Sequence, residues 1–212
     1  MRKKQILPNV YLVEFPTTQD AAMTFMRFQE HYESPKFRNK IFTTEEYKKW
    51  YASYTKRPFS YYNDWSGFNI PSYVLLPFYS GAFKCLTTTE KNLLDLFRKC
   101  TGQFYILGVR KGDKRSLKHE LMHSLYYTNS DYRRNVDAIL KLGPTAIKDV
   151  ERYIKGLGYH DEVLMDEAHA YLVTCGDQLK KFGINMSMFK RWIKLLDNNY
   201  RKYVKNGLRG LE

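Results

Sequence analysis

The chain has 212 residues and carries 35 lysines and arginines against 22 aspartates and glutamates, so its net charge is +13. Hydrophobic residues make up 43% of the sequence, which is enough to build the core of one domain. The positive charge favours acidic partners such as nucleic acid, but no zinc-finger, RRM or KH spacing supports nucleic-acid binding. No apolar run is long enough to cross a membrane.

Cysteine usage and the N-terminal sequence both indicate a reducing compartment. The cysteines Cys85, Cys100 and Cys175 are odd in number and form no C-x-x-C pair, which argues against a disulfide framework and a cysteine-based zinc site. We expect buried, reduced thiols, with a single Cys85–Cys100 bridge as the alternative. Residues 1–8 are basic but lead into no apolar signal-peptide segment, so we expect a cytoplasmic protein, in its own cell or in a host cell.

The first half of the chain shows signals for both strands and helices. Residues rich in β-branched and aromatic side chains predict strands at 10–15 and 103–109. A helix is predicted at 17–33. Two capping-box patterns, in which a threonine is followed three residues later by a glutamate, predict helices that begin after Thr43 and after Thr87.

Residues 55–83 differ in character from their flanks. They mix aromatic residues with Pro, Gly, Asn and Ser and show no steady period, which predicts a long loop with one short strand at 73–76. Two interpretations stay open for this segment. It forms either an aromatic wall or flap beside a binding cleft, or an irregular cover over the core.

The most informative stretch is an H-E-x-x-H pattern at residues 119–123. In a helix, residues four apart lie on one face, so both imidazoles can bind the same metal ion. Glu120 lies about 100° around the helix from His119, where a carboxylate can deprotonate a metal-activated water. An N-cap at Ser116 and a leucine stripe at i, i+4 spacing predict a helix at 116–128.

The rest of the chain is predicted to be helical. Asn129 is the expected N-cap of a helix that reaches about residue 142, and another helix is expected from about 145 to 157. Asp161 is the expected cap of the next helix, and Asn185 opens the last one. The last helix carries lysines and arginines along one side, which suit a nucleic-acid or acidic-lipid face as well as a solvated surface.

The strand, the polar turn and the motif helix together resemble the zincin superfamily of zinc metallopeptidases. The resemblance covers this region and one later helix. It implies a Zn²⁺ ion held by His119 and His123, with Glu120 as general base in the hydrolysis of a peptide or protein substrate. It also implies one zincin-like α+β domain over the whole chain. That domain would have a small N-terminal sheet with helices (1–115), a helical C-terminal half (116–212), and the metal between the two halves.

A catalytic zinc site usually has three protein ligands, so a third ligand must come from elsewhere. Gluzincins take a glutamate from a helix downstream of the motif, and the resemblance therefore favours Glu167 here. His169, Asp166 and His160 stay open as alternatives. The position four residues after the glutamate, where thermolysin-like gluzincins place an aspartate, is Tyr171 in this chain. Asp166 is the candidate to replace that aspartate in orienting a zinc-bound histidine.

Two functions from different classes compete. In the first, a zinc metalloprotease, the candidate donors to the transition state are His169, Tyr171, His160 and Tyr127, with none favoured. In the second, a non-catalytic module, zinc ties two helices together while the basic surface binds nucleic acid or a protein partner. A catalytic site keeps a position for water, whereas a structural site is closed by four protein ligands.

Overall fold

The computed structural model describes residues 1–205, and the chain divides into two compact units, Met1–Ser116 and Leu117–Glu212. The first unit combines a small mixed sheet with helices, and the described part of the second contains helices alone. This confirms the α+β class. The zincin-like arrangement of a single domain, with a metal between its halves, stays a prediction.

The first unit is built on a four-stranded sheet. Its strands are β1 (Lys3–Leu7), β2 (Val10–Phe15), β3 (Gly67–Pro71) and β4 (Tyr105–Arg110). They lie in the order β1-β2-β4-β3, with β2 and β4 parallel and the two outer pairs antiparallel. The bounds of β2 agree with the prediction, and β4 begins two residues later than expected. Strand β1 was not predicted from the sequence.

Five helices complete this unit: α1 (Thr18–Glu33), α2 (Thr44–Thr55), α3 (Tyr61–Asp64), α4 (Leu76–Tyr79) and α5 (Thr88–Phe97). Both predicted capping boxes form, at the start of α2 and of α5. Helix α1 packs on the sheet through Phe25, which stacks on Phe68 of β3 at a centroid distance of 5.8 Å. A Cβ at position 108 of β4 would overlap the Phe25 ring, so Gly108 is required for this close approach.

The prediction of a long loop at 55–83 is wrong. This segment contains α3, β3, a 3₁₀ turn (Ser72–Leu75) and α4, and the residues expected to form a strand at 73–76 belong to helical turns instead. The true strand pairs with β4 from Gly67 opposite Val109 to Pro71 opposite Tyr105. Its position is set by a partner strand distant in sequence, which local composition does not reveal.

The predictions of buried thiols and of a possible Cys85–Cys100 bridge are wrong. None of the three cysteines takes part in a disulfide, so the alternative Cys85–Cys100 bridge does not form. Cys85 is exposed rather than buried, and Cys100 and Cys175 are partly buried. Cys85 has a φ of 51°, in the left-handed region, and lies in a bend shortly before α5.

The second unit consists of helices that surround a buried one. They are α6 (Lys114–Thr128), α7 (Ser130–Lys141), α8 (Ile147–Gly156), α9 (Leu164–Thr174), α10 (Gly176–Lys181) and α11 (Lys190–Val204). The first three residues of α6 belong to the first unit. Helix α9 contacts α7, α8, α10 and α11, and every residue from 167 to 172 is buried. Polar side chains on α9 therefore point into the interior of this unit.

Two of the predicted helix caps are wrong. Helix α6 begins at Lys114 and is capped by Asp113, whose carboxylate accepts a hydrogen bond from the Ser116 N–H at 3.0 Å. Asp161 lies inside a 3₁₀ turn (Asp161–Val163), and the cap of that turn is His160, whose Nδ1 accepts from the Glu162 N–H at 3.3 Å. In both places the chain turns into the helix one or more residues before the predicted position. The cap at Asn129 is confirmed, whereas Asn185 caps a 3₁₀ turn (Met186–Phe189) that leads directly into α11.

Within residues 1–205, no helix is both long enough and apolar enough to span a bilayer. The cytoplasmic location stays a prediction.

Candidate metal centre

Helices α6 and α9 bring His119, His123 and Glu167 together, with one ligand atom of each lying within 4.8 Å of the others. Nε2 of His119 is 3.8 Å from Oε2 of Glu167, and Nε2 of His123 is 3.6 Å from Oε1 of the same carboxylate. Tetrahedral zinc with bonds of about 2.0–2.1 Å places its ligand atoms about 3.4 Å apart. The spacing therefore fits a divalent ion, and all three residues belong to the second unit.

The orientation of His123 is fixed by Asp166. Nδ1 of His123 lies 2.9 Å from Oδ1 of Asp166, and both side chains are largely buried. A carboxylate at this distance draws the ring proton to Nδ1, which leaves the lone pair of Nε2 for the cluster. Asp166 thus takes the orienting position that the sequence suggested for it, and it contacts the nitrogen of His123 that faces away from the candidate ligands.

The orientation of His119 is fixed by Thr174, at the last turn of α9. The Thr174 hydroxyl donates to the Ala170 carbonyl at 2.7 Å, so it can only accept from Nδ1 of His119, which lies 2.7 Å away. The proton is then on Nδ1 of His119, and the lone pair of Nε2 is directed to the Glu167 side. Sequence reasoning missed Thr174. The available signal was its position seven residues after Glu167, which places both on one face of a helix.

Two atoms of the cluster are buried and lack a hydrogen-bond partner among the described residues. They are Nε2 of His123 and Oε2 of Glu167, in side chains that are 1% and 3% exposed. An unsatisfied buried polar atom costs about 1–3 kcal/mol, and a fold normally avoids it. A bound cation would satisfy both atoms at once, so this pair of unpartnered atoms fits a metal ion.

The electrostatics of the cluster also favour a cation. Burial raises the pKa of Glu167 to about 8; His123 opposes this shift, whereas the charges of Asp166 and Glu120 add to it. Burial lowers the pKa of His123, but the charges of Asp166 and Glu167 outweigh burial and raise it well above its ordinary value. These carboxylates therefore favour a positive charge at this ring, and a metal ion at Nε2 would take the place of the second ring proton. Three carboxylates converge on two imidazoles in a buried space, and a positive charge placed there would compensate them.

Glu120 lies next to the cluster without belonging to the group of candidate ligands. Its side chain is on the second turn of α6 and the residue is 4% exposed. Its negative charge raises the pKa of both His123 and Glu167, which places it within electrostatic reach of the site. This is the position, beside the ligands, that the H-E-x-x-H pattern predicts for the carboxylate.

The structure does not bring the other candidate ligands into the group. His169 is fully buried, stacks on Tyr126 at 5.3 Å, and directs Nδ1 to the backbone carbonyl of Asp166. Burial lowers the pKa of His169 to about 4, so this ring is neutral at physiological pH. His160 caps the 3₁₀ turn at Asp161–Val163 and does not belong to the ligand group. Of the four alternatives weighed from the sequence, Glu167 is the one that lies with the two motif histidines.

Tyr171, one of the candidate donors, lies against a motif histidine. Its ring contacts that of His119 at 5.2 Å, in an edge-to-face arrangement. Burial raises the pKa of Tyr171 well above its ordinary value, and a hydrogen bond with Tyr159 opposes the shift. Tyr171 is therefore protonated and able to donate. Tyr127 is half-buried on α6, where burial raises its pKa.

Comparison of the chain with protein-family models, with curated proteins and with solved structures found no match. The resemblance to zincins therefore depends on residues 119–123 and Glu167 of this chain. Metal binding and peptidase activity stay predictions, and their support is the geometry described above.

Proposed function

We propose that the protein is a zinc-dependent metallopeptidase. His119, His123 and Glu167 would hold the ion, and Glu120 would act as general base in the hydrolysis of a peptide bond. The observation that carries the proposal is the pair of buried, unpartnered atoms, Nε2 of His123 and Oε2 of Glu167, 3.6–3.8 Å from neighbouring ligand atoms. Two imidazoles and one carboxylate form a ligand set that suits zinc.

Each residue has a distinct role in the reaction. When bound, zinc would supply the positive charge that activates a water molecule and polarises the scissile carbonyl. Glu120 takes the proton of the attacking water and returns it to the leaving amine nitrogen. Asp166 and Thr174 hold the two rings with Nε2 directed to the ligand side. Tyr171 is the favoured donor to the developing oxyanion, because it lies beside His119.

Two features favour a catalytic site over a structural one. Among the described residues the ligand group has three members, whereas a closed structural site needs four. The side chain of His119 is 13% exposed, while those of His123 and Glu167 are 1% and 3% exposed. Solvent therefore reaches the group at His119, which is where a substrate would approach.

The test is Glu120→Gln in the purified full chain, with zinc content and cleavage of a set of quenched fluorescent peptides measured together. We expect zinc to be retained and cleavage to fall at least about 100-fold, because general-base catalysis contributes about 10²–10⁴. The matched control is Glu14→Gln, the same change at an exposed position of β2. Full cleavage by the Glu120→Gln variant would rule out the proposed role of Glu120.

The competing function is a zinc-stabilised module without catalytic activity. A specific outcome separates the two. Stoichiometric zinc together with no cleavage of any peptide by the wild-type chain would favour the module, with zinc joining α6 and α9 as a structural link.

A further inference from the structure

A concave pocket of about 490 Å³ lies in the first unit, between α2 and the segment that precedes it. Its lining combines aromatic rings, Phe37 and Trp50, with three lysines, Lys36, Lys40 and Lys49. A volume of this size falls in the range of about 300–1,000 Å³ that is usual for small-ligand sites. The pocket lies entirely within Met1–Ser116 and shares no residue with the metal centre.

The aromatic part of the pocket is a supported platform. Phe37 is 7% exposed, and its ring contacts that of Trp50 edge to face at a centroid distance of 5.3 Å, so a core residue packs against the indole. Trp50 is half-buried and stacks on Tyr54 at 5.0 Å with an interplanar angle of 19°. Tyr54 itself is 47% exposed. Tyr54 does not line the pocket and covers part of the indole, so Trp50 offers the pocket its remaining ring surface, which we call the Trp50 platform.

The wall of the pocket opposite α2 is anchored to α1 by His31. The Asn39 N–H donates to the His31 carbonyl at 2.9 Å, and Nδ1 of His31 donates to the Lys40 carbonyl at 2.8 Å. Asn39 has a φ of 57°, the left-handed turn conformation that asparagine tolerates. These contacts fix the backbone that carries Lys36 and Lys40.

The charge of the pocket is positive. Lys36, Lys40 and Lys49 are exposed, and within residues 1–205 the ammonium groups of Lys40 and Lys49 take part in no ion pair. The ammonium of Lys36 lies 5.5 Å from the Phe37 ring and 6.0 Å from the Trp50 ring. Glu46 is the acidic residue of the lining, and its carboxylate accepts from the Thr43 N–H and hydroxyl as part of the α2 cap.

We propose that this pocket binds single-stranded nucleic acid, with a base stacked on the Trp50 platform and phosphates held by the three lysines. Aromatic surface beside lysines is the combination that single-strand binders use, because every base has a π-face and every nucleotide has a phosphate. An acidic peptide would need the lysines but not the indole. A duplex hides its base faces, so it could not use the platform.

The experiment measures fluorescence anisotropy of a labelled 12-nucleotide oligothymidylate with the purified full chain, over a range of salt concentrations. The triple variant Lys36→Ser/Lys40→Ser/Lys49→Ser is expected to bind at least tenfold more weakly. The slope of its log affinity against log salt concentration should become shallower by about 2, since each of the three lost phosphate contacts contributes about 0.7 on single strands. Trp50→Ala should weaken binding about 5- to 100-fold, and Trp50→Phe should recover most of the loss.

The matched control removes three exposed lysines of the second unit that lie outside the basic last helix, Lys141, Lys180 and Lys181, so that the net charge changes equally. This control should keep the affinity within about twofold. Equal losses in both triple variants would overturn the proposal, because binding would then follow net charge alone. Unchanged affinity in Trp50→Ala with a native thermal midpoint would also overturn it, as would equal affinity for a 12-base-pair duplex.

Discussion

Replacing Asp166 tests whether the zinc affinity depends on the orientation of His123. The carboxylate lies 2.9 Å from Nδ1 of His123, and this contact holds the ring so that Nε2 is directed to the candidate ligands. Asparagine at this position keeps an acceptor oxygen but removes the charge. Alanine removes both, so the two variants separate the effect of the charge from that of the oxygen that contacts Nδ1.

The expected magnitude follows from the role of such partners at metal sites. Loss of a residue that orients a ligating histidine typically weakens metal binding 10- to 100-fold. We expect about tenfold for Asp166→Asn and about 100-fold for Asp166→Ala, or about 1.4 and 2.7 kcal/mol. At a fixed free zinc concentration, the stabilisation of the folded chain by zinc should fall by the same amounts.

The assay is competition for zinc against a chromogenic chelator, with thermal unfolding measured at the same free zinc. Asp177→Asn is the matched control, since it makes the same charge change at an exposed position of α10. Thr174→Val, a change of similar shape, should weaken binding through His119 in the same manner. An unchanged zinc affinity in Asp166→Ala would refute the reasoning.

Three further predictions concern the first unit. Glu90→Ala should cost about 3–5 kcal/mol in chemical denaturation, because Arg27, which is 1% exposed and paired to Glu90 at 2.6 Å, would stay buried without its partner. Burial raises the pKa of Glu30 from 4.5 to about 7. The folded chain therefore keeps a proton that the unfolded chain has released, and stability should fall by at most about 3 kcal/mol as the pH rises from about 4.5 to about 7. Glu30→Gln should flatten this profile, and an unaltered profile would contradict the assignment. Gly108→Ala should destabilise by about 1–3 kcal/mol, because its Cβ meets the Phe25 ring, and a neutral effect would show that Phe25 can move aside.

Features determined by a few neighbouring residues were predictable from the sequence. Each capping box, at Thr43 and at Thr87, joins a threonine to a glutamate three residues on, and both form in the structure. The spacing that places His119 and His123 on one face of a helix is local in the same sense. No long-range information is needed for either inference.

Strands β1 and β3 were not predicted, because local sequence patterns do not reveal which strands pair. Strand β3 begins with Gly67 and ends with Pro71, two residue types that are depleted in strands, and it exists because it pairs with β4. Strand β1 (Lys3–Leu7) has a lysine-rich start and lies at an edge of the sheet, where charged residues are tolerated. In both cases the partner strand, and not the local composition, decides the structure.

The sequence could not identify the third candidate ligand for a similar reason. Asp166, Glu167 and His169 point in different directions from α9, because successive helical residues are separated by about 100°. Their spacing cannot say which one faces α6. The contacts of α9 with the surrounding helices fix its rotation, and this rotation directs Glu167 to the motif histidines and Asp166 to the far side of His123.

The most direct test of the account is the zinc content of the purified full chain, measured by elemental mass spectrometry. The account predicts one zinc per chain in the wild type, and less than about a tenth of that in a His123→Ala/Glu167→Ala variant after dialysis against a weak chelator. Two results would contradict it. One is a wild-type chain that binds no stoichiometric zinc when zinc is supplied, and the other is a double variant that keeps the full amount.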